Sequence, residues 1–443
     1  MPKKYDLLII GGGPAGYVAA LRAAQLGASV ALVEKDKVGG TCINRGCIPT
    51  KAIITCTNLY DKFKKAEAFG IQHQNLSIDL KKVVGRKNRI IETIVKGIEF
   101  LLGKNGVDSI AGTAKVLEPG KVEVVQADGS RLLIESPKLI LATGSVPACL
   151  PGLNFDHENF LCSDDILDYH SFPDRLTIVG GGVIGIHFAQ IYSTLGSEVK
   201  LYEALPEILP GIDEEVVSAV KTVLKRKKIE IFTNARFDPN QAPGKTLICI
   251  GRTPNTLGLE NLQLKMNKRS VWVSEKMETS QPSIYAAGDL VSQKMFAHVA
   301  FEQGVVAAEN ALGGNKAFDY GCVPYGIYTN PEIGAVGLTE KEAREKSSSV
   351  KIGKFPYAAL GIATAMGERE GFVKVVADEK QQLLGVHILG AEATTLIGSA
   401  TLALKNKLTI DQLAETFQAH PTYPEGLQEA ALNVLGRSLH INN

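Results

Sequence analysis

The chain repeats one pattern of apolar and polar positions twice. The run Tyr5-Asp6-Leu7-Leu8-Ile9-Ile10 enters the cluster Gly11-Gly12-Gly13-Pro14-Ala15-Gly16, an Ala-rich amphipathic stretch continues to Gly27, and an apolar run from Ser29 to Val33 closes on Glu34. The second copy reads Leu176 to Val179, then Gly180-Gly181-Gly182-Val183-Ile184-Gly185, a helical stretch to Gly196, and Glu198 to Tyr202 closing on Glu203. Each copy predicts strand, glycine turn, helix, strand and acid, the pattern of a dinucleotide-binding unit. The glycines have separate tasks: Gly11 and Gly180 turn the chain, Gly13 and Gly182 admit a pyrophosphate to the backbone, and Gly16 and Gly185 let helix pack closely on strand. The helix N-terminus then faces the phosphates. Glu34 and Glu203 stand where a carboxylate accepts hydrogen bonds from ribose hydroxyls. Glu203 would repel a 2′-phosphate, which favours NAD over NADP.

Each unit later returns with a short strand ending in glycine, Lys138 to Thr143-Gly144 in the first and Thr246 to Gly251-Arg252 in the second. Alternating apolar positions from Val116 to Ile134, with a turn at Asp128-Gly129, precede the first return strand; only Asp238-Pro239-Asn240-Gln241-Ala242-Pro243-Gly244 precedes the second. The second unit is therefore expected to lack a small β-meander. Beyond residue 320 the texture changes to short alternating strands (Val373 to Ala377, Leu383 to Ile388) and then helices (Glu392 to Leu404, Ile410 to Phe417, Glu425 to Leu435), an α+β pattern.

Composition narrows the class. With 443 residues the chain exceeds one ordinary core, and 45% hydrophobic against 21% charged residues is the balance of a globular protein. A formal net charge of +1 without blocks of like charge points to neither nucleic acid nor an anionic membrane. No apolar run reaches the roughly 18 residues of a membrane span, and the N-terminus lacks the pattern of a signal peptide, so a cytoplasmic protein is expected.

Of the seven cysteines, only Cys42 and Cys47 stand close together, in Gly39-Gly40-Thr41-Cys42-Ile43-Asn44-Arg45-Gly46-Cys47-Ile48-Pro49-Thr50-Lys51. In an ideal helix residues five apart lie about 8.6 Å apart at Cα, beyond the roughly 7 Å that a disulfide spans. A bridge here requires a distorted helix start, for which Gly46 and Pro49 supply the freedom and the break. A strained bond of this kind is easily reduced. The spacing alone also admits a structural bridge or two buried thiols; no second CxxC or Cys/His cluster accompanies it, so no metal site is expected. Near the C-terminus, His420-Pro421-Thr422-Tyr423-Pro424-Glu425 holds a histidine and a glutamate in a stiff loop, an arrangement suited to general acid/base work on thiols.

These segments, together with Ala142-Thr143-Gly144-Ser145, Leu209-Pro210-Gly211-Ile212-Asp213, Gly251-Arg252-Thr253-Pro254-Asn255, Ile284-Tyr285-Ala286-Ala287-Gly288-Asp289 and Tyr328-Thr329-Asn330-Pro331-Glu332, resemble the pyridine nucleotide-disulfide oxidoreductases over essentially the whole chain, most closely the dihydrolipoamide dehydrogenase branch. The resemblance implies an α/β protein with two Rossmann-like domains and a C-terminal α+β dimerisation domain: an FAD-binding domain at 1–150, a shortened NAD-binding domain at 151–265, a central segment returning to FAD at 266–320 and an interface domain at 321–443. It further implies FAD contacts from Gly11, Gly13, Gly16, Glu34, Gly40, Thr41, Lys51, Ala114, Thr143, Gly144, Asp289 and Ala297, and NAD contacts from Gly180, Gly182, Gly185, Glu203, Gly251 and Arg252. By position Cys47 is similar to the thiol nearest the flavin, Cys42 to the one that exchanges with substrate, and His420, oriented by Glu425, to a base serving the opposite subunit of a homodimer. The implied reaction takes electrons from dihydrolipoamide, free or on a lipoyl-bearing protein, to NAD⁺. Two alternatives stay open: a related reductase of another small disulfide or metal, and a non-catalytic flavoprotein. The sequence departs from the family at His187, where a glutamate is usual, and in the shortened NAD unit; slowed or pH-dependent hydride transfer and weak NAD binding are the expected consequences.

Overall fold

A computed structural model describes residues 2–169, 173–241, 244–291, 294–347 and 349–442. The described residues form three five-stranded sheets that carry the architecture. In the first, the strands run Ile284–Ala286, Leu139–Leu141, Leu7–Ile10, Val30–Glu34 and Asp108–Ala111, all parallel. Leu7, Leu8 and Ile9 have no exposed surface, as strands covered on both faces must. Burying each side chain contributes roughly 1.5–3 kcal/mol. The edge strand Ile284–Ala286 comes from beyond the second unit, so the chain leaves this sheet and returns to it.

The second sheet is parallel throughout, in the order Phe160–Leu161, Lys245–Ile248, Arg175–Val179, Glu198–Tyr202, Glu230–Phe232. The two glycine turns are built alike. Gly11 and Gly180 each donate their N–H to the neighbouring strand at 2.8 Å, to Val33 and Tyr202. A Cβ on Gly16 would lie 1.7 Å from the Gly11 carbonyl oxygen, and one on Gly185 would lie 2.0 Å from that of Gly180, so both helices, Pro14–Gln25 and Val183–Leu195, sit where only glycine fits.

The units differ as their lengths predict. The first carries an antiparallel meander, Thr113–Glu118, Lys121–Val125 and Arg131–Glu135, which Lys3–Lys4 extends. The second joins Glu230–Phe232 to Lys245–Ile248 with one short 3₁₀ turn, Pro239–Gln241, among its described residues; Ala242 and Pro243 lie outside them. The sheet face without a meander is polar: Arg175 and Lys200 pair with Glu198, and Lys200 also with Glu230, across three strands. Tyr202 and Phe232 stack beside this ladder at 4.9 Å.

The third sheet is antiparallel, in the order Tyr325–Ile327, Glu332–Gly337, Leu383–Gly390, Phe372–Asp378, Val350–Pro356. Helices Ala393–Lys405 and Glu425–Val434 pack on it, the latter closely enough that a Cβ on Gly353 would lie 2.0 Å from the Ala430 carbonyl oxygen. The expected helix from Ile410 to Phe417 ends at Ala414, and the chain continues without regular structure into the His420 loop.

Candidate active site

The cysteine segment is a broken helix. Gly39 and Gly40 take positive φ (93° and 53°), a short helix spans Gly40–Arg45, Gly46 leaves helical geometry at φ −142° and ψ −108°, and a new helix begins at Cys47 and runs to Phe63. This break is the distortion that the five-residue spacing demands. Gly46 is needed there because a Cβ would approach the Thr41 carbonyl oxygen to 2.9 Å, and Thr50 secures the restart by donating N–H and hydroxyl to the Gly46 carbonyl at 3.1 and 2.6 Å. Gly40 lies against Gly13, where a Cβ would come within 2.6 Å, so the cysteine segment meets the first glycine turn directly.

Cys42 and Cys47 are both free thiols, and each acts on the other's ionisation in the opposite direction. The Cys42 thiol lowers Cys47, which Lys51 lowers further against the effect of burial, to about 6. Cys42 is pushed up, first by donating to Cys47 and then by burial. One sulfur is set to be a thiolate and the other to keep its proton, the division that thiol–disulfide exchange uses. Lys51 lies one helical turn past Cys47, on the same face. Its Nζ sits 4.7 Å from the centre of the Tyr328 ring.

A chain of hydrogen bonds then runs from this segment to the far edge of the first sheet. Arg252 reaches the Thr41 hydroxyl at 3.4 Å and donates to the Ser145 hydroxyl and carbonyl at 2.7 and 2.9 Å; Ser145 donates to Asp289 at 2.5 Å. Thr143 donates to the Asn255 carbonyl at 2.6 Å, and the Asn255 N–H returns to Gly144 at 2.9 Å. Gly251 and Arg252 come from the second unit, yet the Arg252 side chain serves the first. Ser145, which links Arg252 to Asp289, does not stand out in the sequence as a site residue because its partners are distant along the chain. Ala297 opens the helix Ala297–Ala311, which lies on Pro14–Gln25 with Gly304 against the Ala15 carbonyl. Ala114 lies in the meander's first strand, just past the strand end where Gly112 donates to the Glu34 carbonyl at 2.9 Å.

Both turns fit a dinucleotide. Gly13 and Gly182 stand at the helix N-caps in extended conformation with no side chain capping the first helical N–H groups, which leaves those donors for an anion. Glu34 accepts from the Gly12 N–H at 2.6 Å and Glu203 from the Gly181 N–H at 2.7 Å, so each acid is fixed against its own turn. Gly11, Gly13, Gly16, Glu34, Gly40 and Thr41 gather at one end of the first sheet; Gly180, Gly182, Gly185 and Glu203 gather at the equivalent end of the second.

His187 is buried, and its Nε2 accepts the Tyr328 N–H at 2.9 Å. Burial first, and Lys51 second, hold the ring well below its ordinary pKa. His420 lies in the loop before the helix Glu425–Val434, with its side chain 77% exposed; its Nδ1 meets Glu425 at 2.8 Å, and Glu425 also accepts the Thr422 N–H at 2.7 Å. Burial raises the Glu425 carboxyl, but the Thr422 N–H and His420 outweigh it and hold the group low. Among the described residues no hydrogen bond or ion pair joins His420 to Cys42 or Cys47.

Comparison with known proteins agrees with this geometry. Residues 5–304 match the model of the pyridine nucleotide-disulphide oxidoreductases, and residues 323–431 match that family's dimerisation domain. Dihydrolipoyl dehydrogenases of Thermus scotoductus and Chlamydia pneumoniae are 40% and 39% identical, covering 100% and 99% of this chain and 100% and 99% of their own lengths. Among solved structures, LpdA of Mycobacterium tuberculosis superposes with a TM-score of 0.89 at 28% identity, covering 97% of this chain and 99% of its own. The flavoprotein disulfide reductase RclA of Escherichia coli, as its Cu(II) complex, superposes at 0.88 and 27%, with coverage of 97% and 99%. The chain belongs to the pyridine nucleotide-disulphide oxidoreductase family.

Proposed function

We infer that this chain oxidises dihydrolipoamide, free or carried on a lipoyl-bearing protein, and delivers the electrons to NAD⁺, with Cys42 and Cys47 as its redox pair. The observation that carries the reading is the placement of two thiols on either side of a helix break that lies against the first glycine turn, with Lys51 one helical turn past Cys47. FAD, when bound, relays the electron pair between the cysteine pair and NAD⁺.

The residues of the chain then have definite tasks. A substrate thiolate attacks Cys42 Sγ, the Cys42–Cys47 bond breaks, and Cys47 departs as the thiolate that Lys51 and the Cys42 thiol stabilise. Cys47, one helical turn from the Lys51 cation, is the better leaving group, and the attack therefore falls on Cys42. The second substrate thiol gives its proton to His420 and attacks the mixed disulfide, releasing the oxidised substrate and leaving Cys42 reduced. Glu425 holds the His420 ring in position. His420 comes from a second copy of the chain: among the described residues it makes no hydrogen bond or ion pair with the cysteines of its own protomer, and Phe417, three residues before it, is 96% exposed. The division 1–150, 151–265, 266–320 and 321–443 follows this scheme. None of the described helices is long and apolar enough to cross a membrane, and we place the enzyme in the cytoplasm.

The test is anaerobic mixing of the FAD-loaded dimer with dihydrolipoamide and NAD⁺. NADH should form in proportion to dithiol consumed. No NADH, with turnover of another disulfide or of a metal ion instead, would replace this reading by that of a related reductase.

A further inference from the structure

Lys51 lies among the reacting groups, yet among the described residues no carboxylate forms an ion pair with it. What lies against it is an aromatic ring, whose own backbone N–H a histidine accepts. Tyr328 places its ring 4.7 Å from Nζ. The Tyr328 backbone is fixed in turn by the helix Val183–Leu195: His187 Nε2 accepts the Tyr328 N–H at 2.9 Å, while Gln190, one turn on, accepts the Asn330 N–H at 2.7 Å and donates to the Asn330 carbonyl at 3.3 Å. Geometry fixes the charge of His187, since an imidazolium would direct its own N–H at the N–H of Tyr328. The ring is neutral, with its proton on Nδ1.

We propose that His187 is a positioning residue that keeps Lys51 free of any carboxylate, so that the Cys47 thiolate is the counter-ion of the Lys51 ammonium. A neutral acceptor at 187 seats Tyr328 beneath Lys51 and occupies the place from which an acid would neutralise it. The charged and titratable groups that act on Cys47 are then Cys42, Lys51 and Asp289, and those on Lys51 are the two cysteines. Lys51 is the one cation in that set. Asp289 opposes it but is engaged with Ser145. Lys51 itself is held below its ordinary pKa by burial, against the pull of the thiolates, as an ammonium without a carboxylate partner should be. The inference rests on the reading of Cys42 and Cys47 as the redox pair.

The test follows ionisation of Cys47 in the dithiol-reduced, FAD-loaded enzyme, both by the long-wavelength thiolate–flavin absorbance against pH and by the rate of Cys47 alkylation with iodoacetamide, resolved by peptide mass. Wild type and His187→Gln, a neutral acceptor, should ionise within about twofold of each other. His187→Glu should lower the ionisation constant about tenfold, moving both midpoints up by about one pH unit. Unchanged midpoints in His187→Glu with full flavin content would overturn the proposal. Should that variant fail to fold, Lys51→Met decides: it should raise the midpoint at least as far, and an unchanged midpoint there also overturns it. Absence of the absorbance band in wild type would count against the redox reading alone, because alkylation reports the ionisation of Cys47 without the flavin.

Discussion

Removing the Lys374 ammonium should separate two domains energetically. The Lys374 side chain is 1% exposed and bonds both oxygens of Asp213, itself 2% exposed, at 3.0 and 3.1 Å; it also meets Glu215 at 3.0 Å and Glu340 at 2.7 Å. Asp213 and Glu215 belong to the second nucleotide unit, Lys374 and Glu340 to the antiparallel domain. In Lys374→Met, Glu215 and Glu340 turn to water, being 46% and 28% exposed, but Asp213 cannot. Breaking a buried ion pair from one side costs about 3–5 kcal/mol. Asp213 still accepts the N–H groups of Glu215 and Glu340, at 3.1 and 3.3 Å, which sets the expectation at the lower end, about 3 kcal/mol. Lys374→Met/Asp213→Asn, which keeps the helix cap but removes the orphaned charge, should regain about 2 kcal/mol of this. Urea unfolding at fixed protein concentration measures both. A single variant within about 1 kcal/mol of wild type, or a double variant no better than the single, would refute the reasoning. The pH dependence has a definite sign. Asp213, Glu215 and Glu340 are held below their ordinary values in the folded protein, so their contribution is complete above about pH 5 and lost as pH falls through the lowered values; Lys374 is raised, so its contribution is lost only as pH climbs past about 10.4.

Four further outcomes are expected. Gly185→Ala places a methyl 2.0 Å from the Gly180 carbonyl oxygen; the KM for NAD⁺ should rise tenfold or more while flavin content stays at one per chain, and equal loss of both cofactors would contradict the separation of the two turns. His420→Ala should lower kcat by about 10²–10⁴-fold with the flavin spectrum unchanged, as loss of a general base does; a steady-state assay with dihydrolipoamide decides. Glu425→Gln should act in the same direction, more weakly, and mixed dimers of His420→Ala and Cys42→Ser chains should recover activity at the one site that holds both intact residues.

Much of this site is legible in the sequence because it depends on backbone requirements that only certain residues meet. Gly11, Gly16, Gly180 and Gly185 are read from spacing because no Cβ fits there, and the break at Gly46 follows from a helix being unable to bring residues five apart into bonding distance. The missing meander is legible as a difference in length between two copies of one pattern. What escapes depends on contacts between distant segments. Arg252 lies in the second unit, yet its guanidinium bonds Thr41 and Ser145, a crossing that periodicity does not encode. His187 reads as a group near the nicotinamide path; its burial and the Tyr328 N–H on its Nε2 need the packed structure. The strands Tyr325–Ile327, Glu332–Gly337 and Val350–Pro356 escape because glycines and prolines interrupt their alternation. The helix after Ile410 stops at Ala414, short of its expected end, because Glu415, Thr416 and Phe417 continue a helical composition that the His420 loop overrides.

The central claim is the division of labour between two sulfurs, and the FAD-loaded Cys42→Ser and Cys47→Ser enzymes test it most directly. Cys42→Ser leaves Cys47 as a free thiolate beside Lys51 and should show a long-wavelength thiolate–flavin absorbance at neutral pH without any reductant, while Cys47→Ser should show none under any reductant. The band appearing in Cys47→Ser instead, or in neither, would contradict the account.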